Sequence, residues 1–181
     1  YIDDVTGNFQ EAHGSDSRLN VSSRADNRAY YNSRDRGQCY TLVYDHPSAA
    51  DNQYSFYLKN TSTTKALVVS SVGLNSDDVA IMELLYVTGS VVNGVSFTPT
   101  NLNKSSSNDA DATALEDGGG TAISSVTDGA EIDSVTISAK AHEEMRLSDR
   151  LRLGQNDAVA LKMITGTTTP DVSGVVFFYF E

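Results

Sequence analysis

The 181-residue chain holds three histidines, His13, His46 and His142, too far apart in sequence to form a His-x-His pair. An iron- or manganese-dependent β-barrel oxygenase needs several imidazoles and a carboxylate converging from neighbouring strands, and nothing in the pattern supplies them. The run AHEEM puts His142 beside Glu143 and Glu144 but lacks the second histidine one helical turn later that a zinc-binding helix needs. The 24 acidic residues offer many carboxylate pairs of the kind used in glycoside hydrolysis, but the chain has no tryptophan on which a sugar ring could stack. No G-x-S-x-G elbow and no phosphate-binding G-x-x-x-x-G-K-[ST] loop occurs, and DGGGT from Asp117 to Thr121 lacks the lysine that phosphate binding requires. The segment NDADATALEDGG gathers Asp109, Asp111, Glu116 and Asp117. Counted from Asp109, however, Ala114 stands where a calcium loop turns on glycine, and Gly120 stands where it needs its bidentate glutamate. An irregular calcium site within 101–121 stays open. The sequence assigns no catalytic, cofactor-binding or metal-binding residue, and the expectation is a non-enzyme without a cofactor.

Composition narrows the class further. A net charge of -11 and a pI near 4.5 repel phosphate backbones, which argues against nucleic acid as a partner. No apolar run approaches the roughly 18 residues of a membrane-spanning helix, so no membrane partner is expected. The single cysteine, Cys39, excludes an intrachain disulfide and reads as a core thiol in CYTLVY. Tyr1 is not an initiator methionine, which leads us to expect a segment upstream of it. The sequons at Asn20, Asn60 and Asn103 are of the kind that an Asn-, Ser- and Thr-rich chain produces by chance.

Two regions follow from the punctuation. Residues 1–38 are polar, with Arg18, Arg24, Arg28, Arg34 and Arg36 interleaved among acids, and read as an extended N-terminal arm with one short strand at RLNVS. The arm is expected to order on a partner and to be dispensable for folding of the rest. Residues 39–181 are short β-type runs between Gly, Asn, Asp and Ser clusters. CYTLVYD puts Tyr40, Leu42 and Tyr44 on one face, and QYSFYLKN does the same for Tyr54, Phe56 and Leu58. ALVVSSVGL, VAIMELLYVTG, VNGVSFTP, TAISSV, DSVTISA, RLSDRLRLG, AVALKMIT and GVVFFYFE continue the series. SAKAHEEMRL is the one expected short helix, and the polar stretch from Thr98 to Thr121 is expected to be a loop. The fold class is therefore all-β: an antiparallel β-sandwich, jelly-roll-like, behind an extended polar arm.

The closing strand is apolar on both faces: Val175, Phe177 and Tyr179 alternate with Val176, Phe178 and Phe180. VAIMELLYV repeats the pattern, with Ile81, Leu85 and Val87 against Met82, Leu84 and Tyr86. One sandwich core covers one face, so the expected cover for the other is a second copy of the chain in a homo-oligomer, a trimer.

The runs ADNRAYYNSRDRGQCYTLVYDHPSAADNQYSFYLKNTSTTKALVV, TGSVVNGVSFTPTNLNKSSSNDADATA and LRLGQNDAVALKMITGTT, with the terminal GVVFFYFE, resemble small structural proteins of tailed phages. These are the capsid decoration or head-surface proteins, and the likeness spans about Arg18 to the C-terminus. It implies a β-sandwich subunit on the outside of a phage head, a virion location, a homotrimer and the major capsid protein as partner. The alternative is a carbohydrate- or receptor-binding β-sandwich of a phage fibre.

Overall fold

The structure is a computed structural model, and it describes residues 28–47, 49–117, 121–166 and 169–181. A four-residue α-helix, α1 (Arg28–Tyr31), runs into one π-helical turn (Asn32–Arg36). Eleven strands follow: β1 (Cys39–His46), β2 (Tyr54–Asn60), β3 (Leu67–Ser76), β4 (Ala80–Thr88), β5 (Val95–Ser96), β6 (Thr100–Asn101), β7 (Ala112–Glu116), β8 (Thr127–Ile137), β9 (Ala141–Leu153), β10 (Ala158–Gly166) and β11 (Val172–Phe180). They form two antiparallel sheets, one of five strands in the order β6-β1-β11-β3-β9 and one of six in the order β5-β7-β2-β10-β4-β8. The antiparallel β-sandwich read from the sequence is what the chain forms.

The strand pairing is nested. β4 pairs with β8, β3 with β9, β2 with β10 and β1 with β11. The chain thus behaves as one long hairpin whose successive rungs land in alternate sheets. Its main core fills the space between the sheets, where Tyr40, Leu42 and Tyr44 of β1 meet Phe56 and Leu58 of β2 and Val176, Phe178 and Phe180 of β11, all buried. Tyr40 stacks on Phe178 with ring centroids 5.5 Å apart and meets Phe180 edge-on at 5.8 Å, geometries that suit the ring quadrupoles. Tyr44 bridges the sheets to Phe56 at 5.2 Å. Its hydroxyl reaches the Gly73 carbonyl across Gly174, where any Cβ would collide with that ring and with the Gly73 carbonyl.

Simple alternation fails where a bulge shifts the phase. In β2 the pairing with β10 skips Ser55, so Phe56 and Leu58 face the main core while Tyr54 joins Tyr57 on the outside of the six-stranded sheet. Along β4 alternation holds, with Met82 and Leu84 in the main core and Leu85 and Val87 on the outside of the sheet, and the extra residues of its ladder with β8 lie on β8.

The two-faced strands find much of their second cover within the chain, contrary to the expectation that another copy must supply it. On the outside of the six-stranded sheet, Leu85 and Val87 pack with Tyr54, Tyr57, Ala158, Ala160 and Ile123, against Val91, Leu115 and Val126. The segments around Val91 and Ile123 are tied by a β-bridge between Val92 and Ser124, which is all the strand character that TAISSV acquires. On the outside of the five-stranded sheet, Tyr179 packs with Cys39 and Val68 under Ala29 of α1. The chain leaves Phe177 partly exposed and Val43 largely so.

Three further expectations are corrected. Residues 28–38 are not extended: they form the helical turn just described, and cutting the chain at 37 would strip Tyr179, Cys39 and Val68 of their cover. RLNVS and the rest of 1–27 lie outside the described residues. SAKAHEEMRL is not a helix; from Ala141 it is strand β9, because pairing with β3 overrides a weak local preference for helix. The stretch from Thr98 contains β6 and β7, and ATALE becomes a strand because β2 offers it an edge in register.

The burial contrast gives a direct test. Phe178→Ala, in the middle of the aromatic cluster, should lower the unfolding free energy by about 3–5 kcal/mol. Val43→Ser, on the open face, should change it by less than about 0.5 kcal/mol. Urea unfolding of the two variants measures both, and equal losses would contradict the assignment of faces.

Candidate partner-binding face

The helical turn that covers Tyr179 is held from above by the polar loop that follows β6. Asn101 Nδ2 donates to the Gly37 carbonyl at 2.8 Å, Asn103 Nδ2 to Ser33 O at 2.8 Å and Asn108 Nδ2 to Arg36 O at 2.9 Å, and Ser106 Oγ reaches Gly37 O at 3.3 Å. Arg36 O and Gly37 O are carbonyls that a helix end leaves without intrahelical donors, and Ser33 O takes the Asn103 bond in addition to that of Gly37 N. Gly37 closes the turn in the left-handed region with φ 59°, and a Cβ there would collide with the Ser106 side chain. The loop is shaped by its own side-chain-to-backbone bonds, from Asn103 N to Asn101 Oδ1 at 2.9 Å and from Asn108 N to Ser106 Oγ at 3.1 Å. The Asn- and Ser-rich stretch that the sequence offered as a loop is a clamp. Asn60 and Asn103, the two sequons within the described residues, spend their amides inside the fold: Asn60 is buried and donates to Lys65 O and Leu153 O, and Asn103 belongs to the clamp.

The clamped turn presents Tyr30 and Tyr31, 48% and 42% exposed, with an arginine stacked on each ring. Arg34 lies 5.2 Å from the Tyr30 centroid and Arg36 lies 5.3 Å from that of Tyr31. The α-helical spacing of four brings Arg34 onto Tyr30, and the spacing of five in the π turn brings Arg36 onto Tyr31. Arg34 is further oriented by Asp35, at 2.6 and 2.7 Å. That hydrogen bond holds the Asp35 carboxyl below the usual carboxylate range. Arg28 and Arg152 both meet Glu181, at 3.4 and 3.0 Å, pinning the turn to the chain's end. Arg28, Arg34 and Arg36 of the arginines expected to meet a partner lie on or beside this turn; Arg24 and Arg18 lie outside the described residues.

The residues weighed for chemistry are dispersed. His142 Nδ1 donates to Asn75 Oδ1 at 3.0 Å on the sheet surface, and Glu144 pairs with Arg146. Of the acidic loop, Glu116 Oε2 accepts from the Asp45 backbone N–H and the Asp109 carbonyl accepts from Tyr40. Among the described residues no three His, Cys, Asp or Glu side chains come together as a metal site. Cys39 is buried, and desolvation raises its thiol above the usual range.

One polar cluster escaped the sequence. His46, at the end of β1, lies with Nδ1 2.9 Å from Ser55 Oγ and Nε2 3.2 Å from Asp117 Oδ2. All three are buried, Ser55 fully. One proton arrangement satisfies the set: neutral His46 donates from Nε2 to Asp117 and accepts the Ser55 hydroxyl at Nδ1. The residue types are those of a nucleophile relay, but no substrate reaches a serine with no exposed surface. The cluster instead ties β1 of one sheet to β2 and the end of β7 in the other. Its partners are 71 residues apart in sequence for His46 and Asp117, with no shared motif, and the bulge at Ser55 that turns the hydroxyl inward is visible only in the strand register.

Comparison with known proteins finds no family model, no curated sequence and no solved structure that matches the chain.

The His46 cluster predicts a pH dependence. Desolvation lowers the His46 pKa from its ordinary value, opposed by Asp117, Gln53 and Asp45. The unfolded chain therefore takes up this proton first, so the contribution of neutral His46 is complete above about pH 6.5 and is lost as pH falls through the folded value. The midpoint of thermal unfolding should fall as pH drops below about 6.5, and His46→Gln should remove much of that slope. An identical slope in the variant would rule His46 out as its source.

Proposed function

We propose that the protein is a virion structural subunit, a decoration or cement protein on the outer surface of a tailed-phage head. In this reading it assembles as a homotrimer on the major capsid protein and stabilises the shell through contact area and multivalency, without catalysis. The observation that carries it is the clamped turn: four side chains are spent on holding Tyr30, Tyr31, Arg34 and Arg36 rigid at the surface. Rigid aromatic and arginine side chains lose little conformational entropy on binding, and such residues dominate binding energy at protein interfaces. The nested strand pairing supports the same reading. With β5, β6 and β7 set aside, four strands remain in each sheet, and we read their wiring as a jelly roll, the architecture common in capsid proteins.

A specific observation favours a second reading, a carbohydrate- or receptor-binding fibre domain. A groove of about 240 Å³ on the six-stranded sheet is lined by Tyr57, Lys59, Tyr86, Asn156 and Asp157, an aromatic and polar set suited to a sugar.

Imaging of particles from the source, with and without this chain, separates the two. Density at the lattice axes of the head, lost when the gene is deleted, is the expected result; density at a fibre tip, or none on the particle, would overturn the decoration reading. Light scattering should give three times 19.4 kDa.

A further inference from the structure

We infer that the outer face of the five-stranded sheet docks a different protein, one whose surface is acidic around an apolar centre. This deepens the decoration reading by giving the capsid-side partner its chemistry, but the surface itself is argued from the fold alone.

The strand registers lay this face out in rows. Cys39, Tyr179 and Val68 form the first row, and the helical turn covers it. Thr41, Phe177, Ser71 and Arg146 form the second; Val43, Val175, Gly73 and Glu144 form the third. The turn stops at the first row. Beyond it Phe177 is 38% exposed and Val43 73%, and Gly73 adds no side chain that could screen them. Leu102, tied by its N–H to the Cys39 carbonyl, adds an exposed side chain beside the first row. With Tyr30 and Tyr31, five of the nine large hydrophobics exposed among the described residues belong to this face and its clamp. Scattered apolar residues need no explanation, but a contiguous group does.

Charge gives the occupant its sign. The described residues carry arginine at 28, 34, 36, 146, 150 and 152 only, on the helical turn and on β9, so arginine flanks the apolar rows on two sides. Lys59 on β2 and Lys162 on β10 belong to the other sheet, while Lys104 lies in the clamp loop and Lys140 just before β9. Arginine is enriched and lysine depleted at interfaces, because the planar guanidinium grips carboxylates in pairs and is weakly hydrated. Arg34, Arg146, Arg28 and Arg152 have intrachain carboxylates that fix their heads. Arg36 makes no ion pair with a described residue, which leaves its guanidinium group for a carboxylate of a partner. A second copy docked on this face by a two-fold axis would set arginine against arginine, so the complement is a different, acidic protein surface.

The test uses the full chain and four immobilised probes: a 12-residue peptide alternating Glu and Leu, the same peptide with Lys for Glu, heparin, and a single-stranded DNA oligonucleotide. The expected result is binding to the Glu/Leu peptide that weakens with added salt. It should fall by about tenfold or more in the double variant Arg34→Glu, Arg36→Glu, fall in Val43→Asp, and be unchanged in Lys59→Glu. Unaltered thermal unfolding of each variant shows that the loss is one of contact. No binding to the Glu/Leu peptide overturns the inference, as does equal binding to heparin or DNA, which would make the face a general anion binder. Dissociation of an oligomer by the double variant also overturns it, since the occupant would then be a second copy. Absence of this chain's density from the head in the imaging experiment, with peptide binding intact, removes the decoration reading and leaves the surface standing.

Discussion

A strand that is apolar on both sides needs two covers, and a two-layer sandwich supplies one. Much of this molecule's architecture answers that constraint at β11. Its inner face, Val176, Phe178 and Phe180, fills the gap between the sheets and sets the aromatic packing with Tyr40. Its outer face forces the chain to find a lid. The helical turn at 28–36 is that lid over Tyr179, and because a turn this short is not stable in isolation, it needs the clamp of Asn101, Asn103, Ser106 and Asn108 above it. The lid is one turn long and reaches only the first row, which is why Phe177 and Val43 are left in the open.

The same constraint recurs on the other sheet with a different solution. There plain alternation along β4 puts Leu85 and Val87 on the outside, and the chain covers them with the segments bridged at Val92 and Ser124. The bulge in β2 shifts phase at Ser55: it sends Tyr54 to the outside and turns the Ser55 hydroxyl inward to His46, whose other nitrogen meets Asp117. An unpaired serine or histidine at that depth would cost about 1–3 kcal/mol, so the three residues are only tolerable together.

The long edge strands β8 and β9 are protected against pairing with other chains. β9 carries a four-residue excursion between Arg146 and Leu151, opposite a single serine of β3, with Ser148 and Asp149 both at positive φ. β8 is bulged and carries Asp128, Glu131 and Asp133. Charge and irregular register discourage edge-to-edge addition, which directs contacts with other molecules to faces rather than edges. The rigid Tyr and Arg side chains of the turn, beside the uncovered rows, are the face best prepared for that.

Period-two alternation was enough to place Tyr40, Leu42 and Tyr44 on a buried face and to recognise an antiparallel sandwich, because side-chain direction in a regular strand is a local property of the backbone. The two-faced character of GVVFFYFE was equally legible. What alternation cannot carry is phase: the residue skipped at Ser55 shows only in the register of β2 against β10, and neither strand encodes the mismatch alone. Nor did the sequence reveal that the polar loop of Asn101 to Asn108 is a clamp, that ATALE and AHEEM are strands, or that His46 meets Asp117. Each of those depends on what a remote segment offers, a free sheet edge, an orphaned carbonyl or a buried hydroxyl, and such partners are brought together only when the nested hairpin closes.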